Sequence, residues 1–211
     1  MREITKSSKP ASLAQHRRRQ HADYDNYAAK DDLRQSLARE QRGLCCYCLS
    51  RIHPAGDQMK IEHWRCQDHF PAEQLDYANL LGACLGNEGQ TLNKQHCDTL
   101  KANRHLSRNP ANPAHQVERL VHFEGDGRIT SPDSTFDAEL NDALNLNVSF
   151  LKNNRRAVLD AFKTTLSKYG QLPRPTLERW LREWNGEAHT GELKPFCQVV
   201  VYWLRKRLAR A

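Results

Sequence analysis

The stretch Gly43-Leu-Cys-Cys-Tyr-Cys-Leu-Ser-Arg-Ile52 places three of the chain's seven cysteines within four positions. Cys45 and Cys48 form a C-x-x-C pair around Tyr47, the spacing at which two thiolates turn back onto one tetrahedral ion. Half a tetrahedron needs a second half. The segment "NLLGACLGNEGQTLNKQHCDTLK" supplies Cys84 and Cys97, separated by polar residues that can loop away from the metal. The spacing therefore predicts a structural zinc held by Cys45, Cys48, Cys84 and Cys97. His96 and Cys46 are the alternative ligands, since zinc accepts imidazole nitrogen as well as sulfur. Cys66 and Cys197 read as inert buried thiols.

Outward from the cysteines, the composition of residues 44–108 is crowded with Cys, His and Asn and lacks long periodic apolar segments, as expected of a small unit braced by metal. Residues 1–43 read as an N-terminal arm and helix, of which residues 1–30, carrying "HRRRQHADYDNY", are a polar arm with at most one short helix, lying over something rather than forming core. A helix follows in "DDLRQSLAREQRG", with Leu33 and Leu37 on one face, two Asp in the first turn and Gly43 as its stop. Residues 109–211 read as a hairpin around Gly-Asp-Gly in "VERLVHFEGDGRITS" and then as helices. "SFLKNNRRAVLDAFKTTLSKYG" sets Leu151, Val158, Phe162, Leu166 and Tyr169 near one face, and "PTLERWLREW" and "PFCQVVVYWLRKRLAR" complete the chain. Trp180, Trp184 and Trp203 read mainly as core. The fold class expected is α+β, a mainly helical chain around a small zinc-braced core.

With 32 Lys and Arg against 25 Asp and Glu, the net charge of +7 is consistent with a polyanionic partner. Three basic clusters stand out: His16 with Arg17, Arg18 and Arg19; Lys152, Arg155 and Arg156; and Arg205, Lys206 and Arg207. The odd cysteine count and the polar start "MREITKSSKP" argue against a secreted disulfide framework, so a cytoplasmic location is expected. The apolar run Val199–Leu204 is far shorter than the roughly 20 residues that cross a bilayer. No phosphate-cradling glycine loop occurs, which is compatible with a nucleotide-driven step residing in another chain.

Between the two cysteine pairs lies "MKIEHWRCQ", followed by "LDYANLL". Adjacent side chains of an extended segment point to opposite sides, so Glu62 and His63 can serve two objects, a carboxylate facing a hard metal ion and an imidazole facing water or phosphate. Asp98, next to Cys97, would be placed by the zinc itself and would add a second oxygen ligand, suited to Mg²⁺ or Mn²⁺. Lys101, Asn103 and Arg104 follow on an expected helix, placed to meet a polyanionic substrate close to that ion.

This order of C-x-x-C, acid-His, Asn-Leu and Cys-Asp resembles the HNH endonucleases of the ββα-metal fold over about residues 44–106. The resemblance implies that His63 is the general base, Glu62 the metal-binding acid, Asn79 the residue that steadies the motif's loop and Asp98 the last metal contact. Glutamate and aspartate at these two metal positions, and the long insertion between the second pair of cysteines, depart from the commoner pattern. A narrower likeness, carried by "ITKSSKPASL", "EQRGLCCYC", "KIEHW", "LDYANLLGAC", "HCDTLK" and "LNLNVSFLKNNR", is to the HNH proteins of retrons and of Septu phage defence, the PtuB type. It implies action on nucleic acid, DNA before RNA, beside an ATPase of the PtuA type and, in retron systems, a reverse transcriptase complex. The competing reading is a zinc-supported adaptor without cleavage. The joint presence of Glu62, His63 and Asp98 favours the enzyme, because an adaptor has no need of that set.

Overall fold

A computed structural model describes residues 1–170 and 172–210. The chain is α+β, with eight α-helices and two small antiparallel sheets among the described residues. Helix α1 spans Ala11–His16 and α2 spans Lys30–Glu40, burying Leu33, Leu37 and Ala38. The apolar spacing of α2 gives it one dry face, and Gly43, at φ +74°, closes its end where a side chain would meet Arg51 and Glu192.

Strands β1 (Lys60–His63) and β2 (Leu80–Ala83) pair antiparallel, Glu62 opposite Leu81 and His63 opposite Leu80. The cysteine loop Leu44–Arg51 is closed by a bridge between its ends, and Cys46 N donates to Gly82 O at 3.0 Å, fastening the loop to β2. Gln41, just past α2 and buried, locks the same place. Its Nε2 donates to Leu44 O and Gly82 O at 2.8 and 2.7 Å, and its Oε1 accepts from Gly82 N at 2.6 Å. Gly82 permits this approach, since a Cβ there would lie 2.9 Å from Met59 Cε. The short helix α3 (Cys97–Lys101) follows the polar loop.

Beyond it, α4 (Val117–Leu120) precedes a hairpin of β3 (His122–Phe123) and β4 (Ile129–Thr130). The hairpin is therefore shorter than expected, because "VERL" buries Val117 as a helical turn instead. Helix α5 (Ser134–Ala138) runs on as a π turn through Ala143, and α6 (Ser149–Ser167), α7 (Arg174–Trp184) and α8 (Cys197–Leu208) complete the chain. Helix α6 buries Leu151, Leu159 and Phe162, whereas Tyr169 is 61% exposed, beyond the helix's end. The Phe162 ring meets Trp180, Trp184 and Trp203 edge-on at 5.5–5.8 Å, so these indoles pack between the helices.

The main core cluster runs from Met1 to Leu204, beside a small second cluster of Leu44, Leu49, Leu193 and Cys197. The N-terminal arm belongs to the main cluster, against the expectation of a covering segment. Met1, Ile4, Leu13 and Tyr27 are buried, and Lys6 pairs with Glu40 while its Nζ donates to Leu80 O at 2.8 Å. Among the described residues no helix is long and apolar enough to cross a membrane.

Candidate metal centre and the acid-histidine strand

The cysteines that spacing paired do come together. The Sγ atoms of Cys45, Cys48, Cys84 and Cys97 all lie within 4.8 Å of one another. Cys45 to Cys97 is 3.9 Å and Cys48 to Cys84 is 3.7 Å. A tetrahedral zinc with Zn–S bonds of about 2.3 Å requires S–S edges of about 3.8 Å, so the cage fits that ion. Three elements build it: the cysteine loop, the end of β2 and the start of α3, where Cys97 adopts a left-handed φ of +55°. His96 stands outside the set but beside it, with Nδ1 3.1 Å from Cys97 Sγ and 4.0 Å from Cys84 Sγ. Cys46 is buried in the cysteine loop where its backbone meets β2, its thiol pushed to higher pKa by burial. Cys66 and Cys197 lie buried away from the cage.

On β1, Glu62 and His63 do face opposite ways. His63 Nε2 lies 3.0 Å from Gln74 O, and a carbonyl only accepts, so Nε2 carries the hydrogen and Nδ1 keeps a lone pair. The Tyr24 ring stands edge-on at 4.5 Å, and His63 is 7% exposed. Burial holds its pKa below the usual value. Asn79 fixes this arrangement. Its Oδ1 accepts from Arg65 N at 2.7 Å, and its Nδ2 donates to Arg65 O at 3.0 Å and Glu73 O at 3.3 Å. The loop that supplies the Gln74 carbonyl is thereby tied to the strand that carries the imidazole.

Glu62 is 2% exposed. Tyr47 Oη donates to its Oε1 at 2.6 Å, and Lys101 Nζ lies 2.8 Å from the same oxygen. Asp98, part-exposed at the start of α3, lies against Glu62, with Lys60 Nζ 4.0 Å away. Burial first and the Asp98 charge second push the Glu62 pKa well above the usual carboxylate range. Burial and the neighbouring carboxylate likewise raise Tyr47, which keeps its hydroxyl a donor. Two carboxylates side by side favour a proton or a cation between them, and oxygen donors suit a hard divalent ion. Glu62 and Asp98 are thus the pair that could hold one.

Lys101 is not a surface residue. It is fully buried, and its ammonium also donates to His63 O at 3.0 Å. The reason lies in helical spacing, which puts Lys101 on the same inward face as Cys97, one turn earlier. Asn103 and Arg104 are exposed, but Asn103 bonds Asp68 and Arg104 donates to Leu100 O and Asp142 O. Sequence reasoning also passed over Tyr24, Tyr47 and Gln74. Tyr47 stood between two predicted zinc ligands, which is a usable signal, whereas nothing in the chain order points to Tyr24 or to a backbone carbonyl.

Comparison with protein-family models and with curated proteins finds no match to this chain.

Proposed function

We propose that the chain is a metal-dependent HNH endonuclease that hydrolyses phosphodiester bonds, DNA in preference to RNA, as the effector of an anti-phage system with an ATPase partner of the PtuA type. The observation that carries the reading is the adjacency on β1 of a neutral, oriented imidazole and a carboxylate that shares its site with Asp98, all braced against a four-cysteine cage. The resemblance of the motif order supplies the partner and the biological setting, including the retron complex.

In this reading His63 Nδ1 takes the proton from the attacking water, while the Nε2 hydrogen bond to Gln74 O holds the tautomer and the ring plane. Asn79 preserves that orientation through the loop. Glu62 and Asp98 would hold Mg²⁺ or Mn²⁺. When bound there, the ion supplies charge neutralisation at the scissile phosphate and leaving oxygen. Cys45, Cys48, Cys84 and Cys97 would hold a zinc that takes no part in the chemistry and would fix the cysteine loop, β2 and α3 against β1.

The burial of His63 beneath Tyr24 favours a second reading, the catalytically silent adaptor of the same complex. Purified chain, with and without its ATPase partner, incubated with plasmid DNA and tRNA in Mg²⁺ or Mn²⁺ decides between them. Nicking of the plasmid is the expected result. No cleavage of either substrate under any condition would establish the adaptor.

A further inference from the structure

Tyr47 and Lys101 meet at one atom. The phenol lies 2.6 Å and the ammonium 2.8 Å from Glu62 Oε1, and both side chains are fully buried. Glu62 Oε2 receives no hydrogen bond from Tyr47 or Lys101, and Asp98 lies beside the same carboxylate. A hydrogen bond from the phenol and an ion pair with the ammonium, both at one oxygen, restrain the carboxylate's rotation and leave the other oxygen without either partner. Lys101 goes further, because its bond to His63 O ties the same ammonium to the backbone of the neighbouring residue on β1. Both donors are carried by the cysteine cage, since Tyr47 lies between Cys45 and Cys48 and Lys101 lies one helical turn after Cys97.

We propose that Tyr47 and Lys101 are positioning residues that clamp Glu62 Oε1, so that Oε2 is presented with Asp98 to a hard divalent cation, and that the cysteine cage sets the affinity of that second site through them. The inference rests on reading Glu62 and Asp98 as the ion-holding pair. Outer partners of metal ligands orient them, and their removal usually weakens metal binding by about 10- to 100-fold.

The test is Mn²⁺ titration of the full-length, zinc-loaded chain, with free Mn²⁺ read by electron paramagnetic resonance and zinc content measured on each sample. Tyr47→Phe keeps the ring and removes only the hydroxyl, and Lys101→Met removes the charge at similar length. The expected result is Mn²⁺ binding weakened about 10- to 100-fold in both variants at unchanged zinc content, and abolished in Glu62→Gln. Should Lys101→Met fail to fold, Tyr47→Phe decides alone. Wild-type affinity in the folded variants would mean a purely structural role and overturn the proposal. Tighter binding in Lys101→Met would overturn it too, by showing that the ammonium competes with the ion for Glu62. So would a wild-type chain that takes up no Mn²⁺ beyond its zinc. Plasmid nicking on the same samples separates the two readings. Unchanged affinity with cleavage retained removes the clamp and spares the nuclease, whereas weakened affinity with no wild-type cleavage removes the nuclease and spares the clamp.

Discussion

His63 is poised by what surrounds it. Burial disfavours its charged form, and the Gln74 carbonyl fixes the hydrogen on Nε2, so the ring rests as a neutral imidazole with the lone pair on Nδ1. Under the proposed nuclease reading, His63→Ala should lower cleavage by about 10²- to 10⁴-fold while zinc content stays at wild-type level, and undiminished nicking would sink the assignment. The pH dependence has a definite sign. Because the folded pKa lies below the usual 6.5, the unfolded chain binds the proton more readily. This contribution to stability is present in full above that value and disappears as pH falls below it. Melting temperatures of wild type and His63→Gln, compared between about pH 5 and 8, should show the wild type losing more on the acid side. Parallel curves would count against a buried neutral imidazole.

At the scale of elements, the unit around the cage is held by few regular hydrogen bonds. Strands β1 and β2 are four residues each and α3 is five, lengths that are marginal in isolation. An ion bound by the four thiols would supply the missing cohesion by joining the cysteine loop, β2 and α3. Cys48→Ser should therefore reduce zinc stoichiometry and thermal stability together, read by atomic absorption and a melting curve, while retention of both would show that the cage holds no structural ion. Much of this unit was legible in the chain: the C-x-x-C spacing, the later cysteines and the polar loop between them already specify a tetrahedral site. The α2 face carried by Leu33 and Leu37 was equally plain from its period. The inward turn of Lys101 followed from its spacing to Cys97, but charge suggested the surface. A buried lysine is stable here only because a carboxylate and a carbonyl meet its ammonium.

Over the whole molecule, the three basic clusters separate. Lys152 pairs with Asp126, Arg156 with Asp160, and Arg155 is buried, with Nε donating to Gly127 O at 2.6 Å and Nη2 to Leu146 O at 2.7 Å. Arg205 pairs with Glu118, and Lys206 and Arg207 lie over Tyr202 and Trp203. Arg17, Arg18 and Arg19 are exposed and form no ion pair among the described residues. They follow α1 and precede the turn that lays Tyr24 on His63. Under the proposed nuclease reading, replacing all three by Ala should weaken nucleic-acid binding and flatten the slope of log K against log salt by about 0.9 for each duplex phosphate that is no longer neutralised. An unchanged slope would place the binding surface elsewhere.

The sequence by itself determined the four-cysteine cage, the amphipathic helices and the acid-histidine pair, because ligand spacing and helical period are properties of neighbouring residues along one chain. Only the tertiary structure decided which oxygen of Glu62 meets Tyr47 and Lys101, that the N-terminal arm enters the core and lays Tyr24 on His63, that Lys101 faces inward, and which arginines stay uncommitted. Each of these depends on side chains brought from far along the chain, so their burial and partners exist only once the elements pack together.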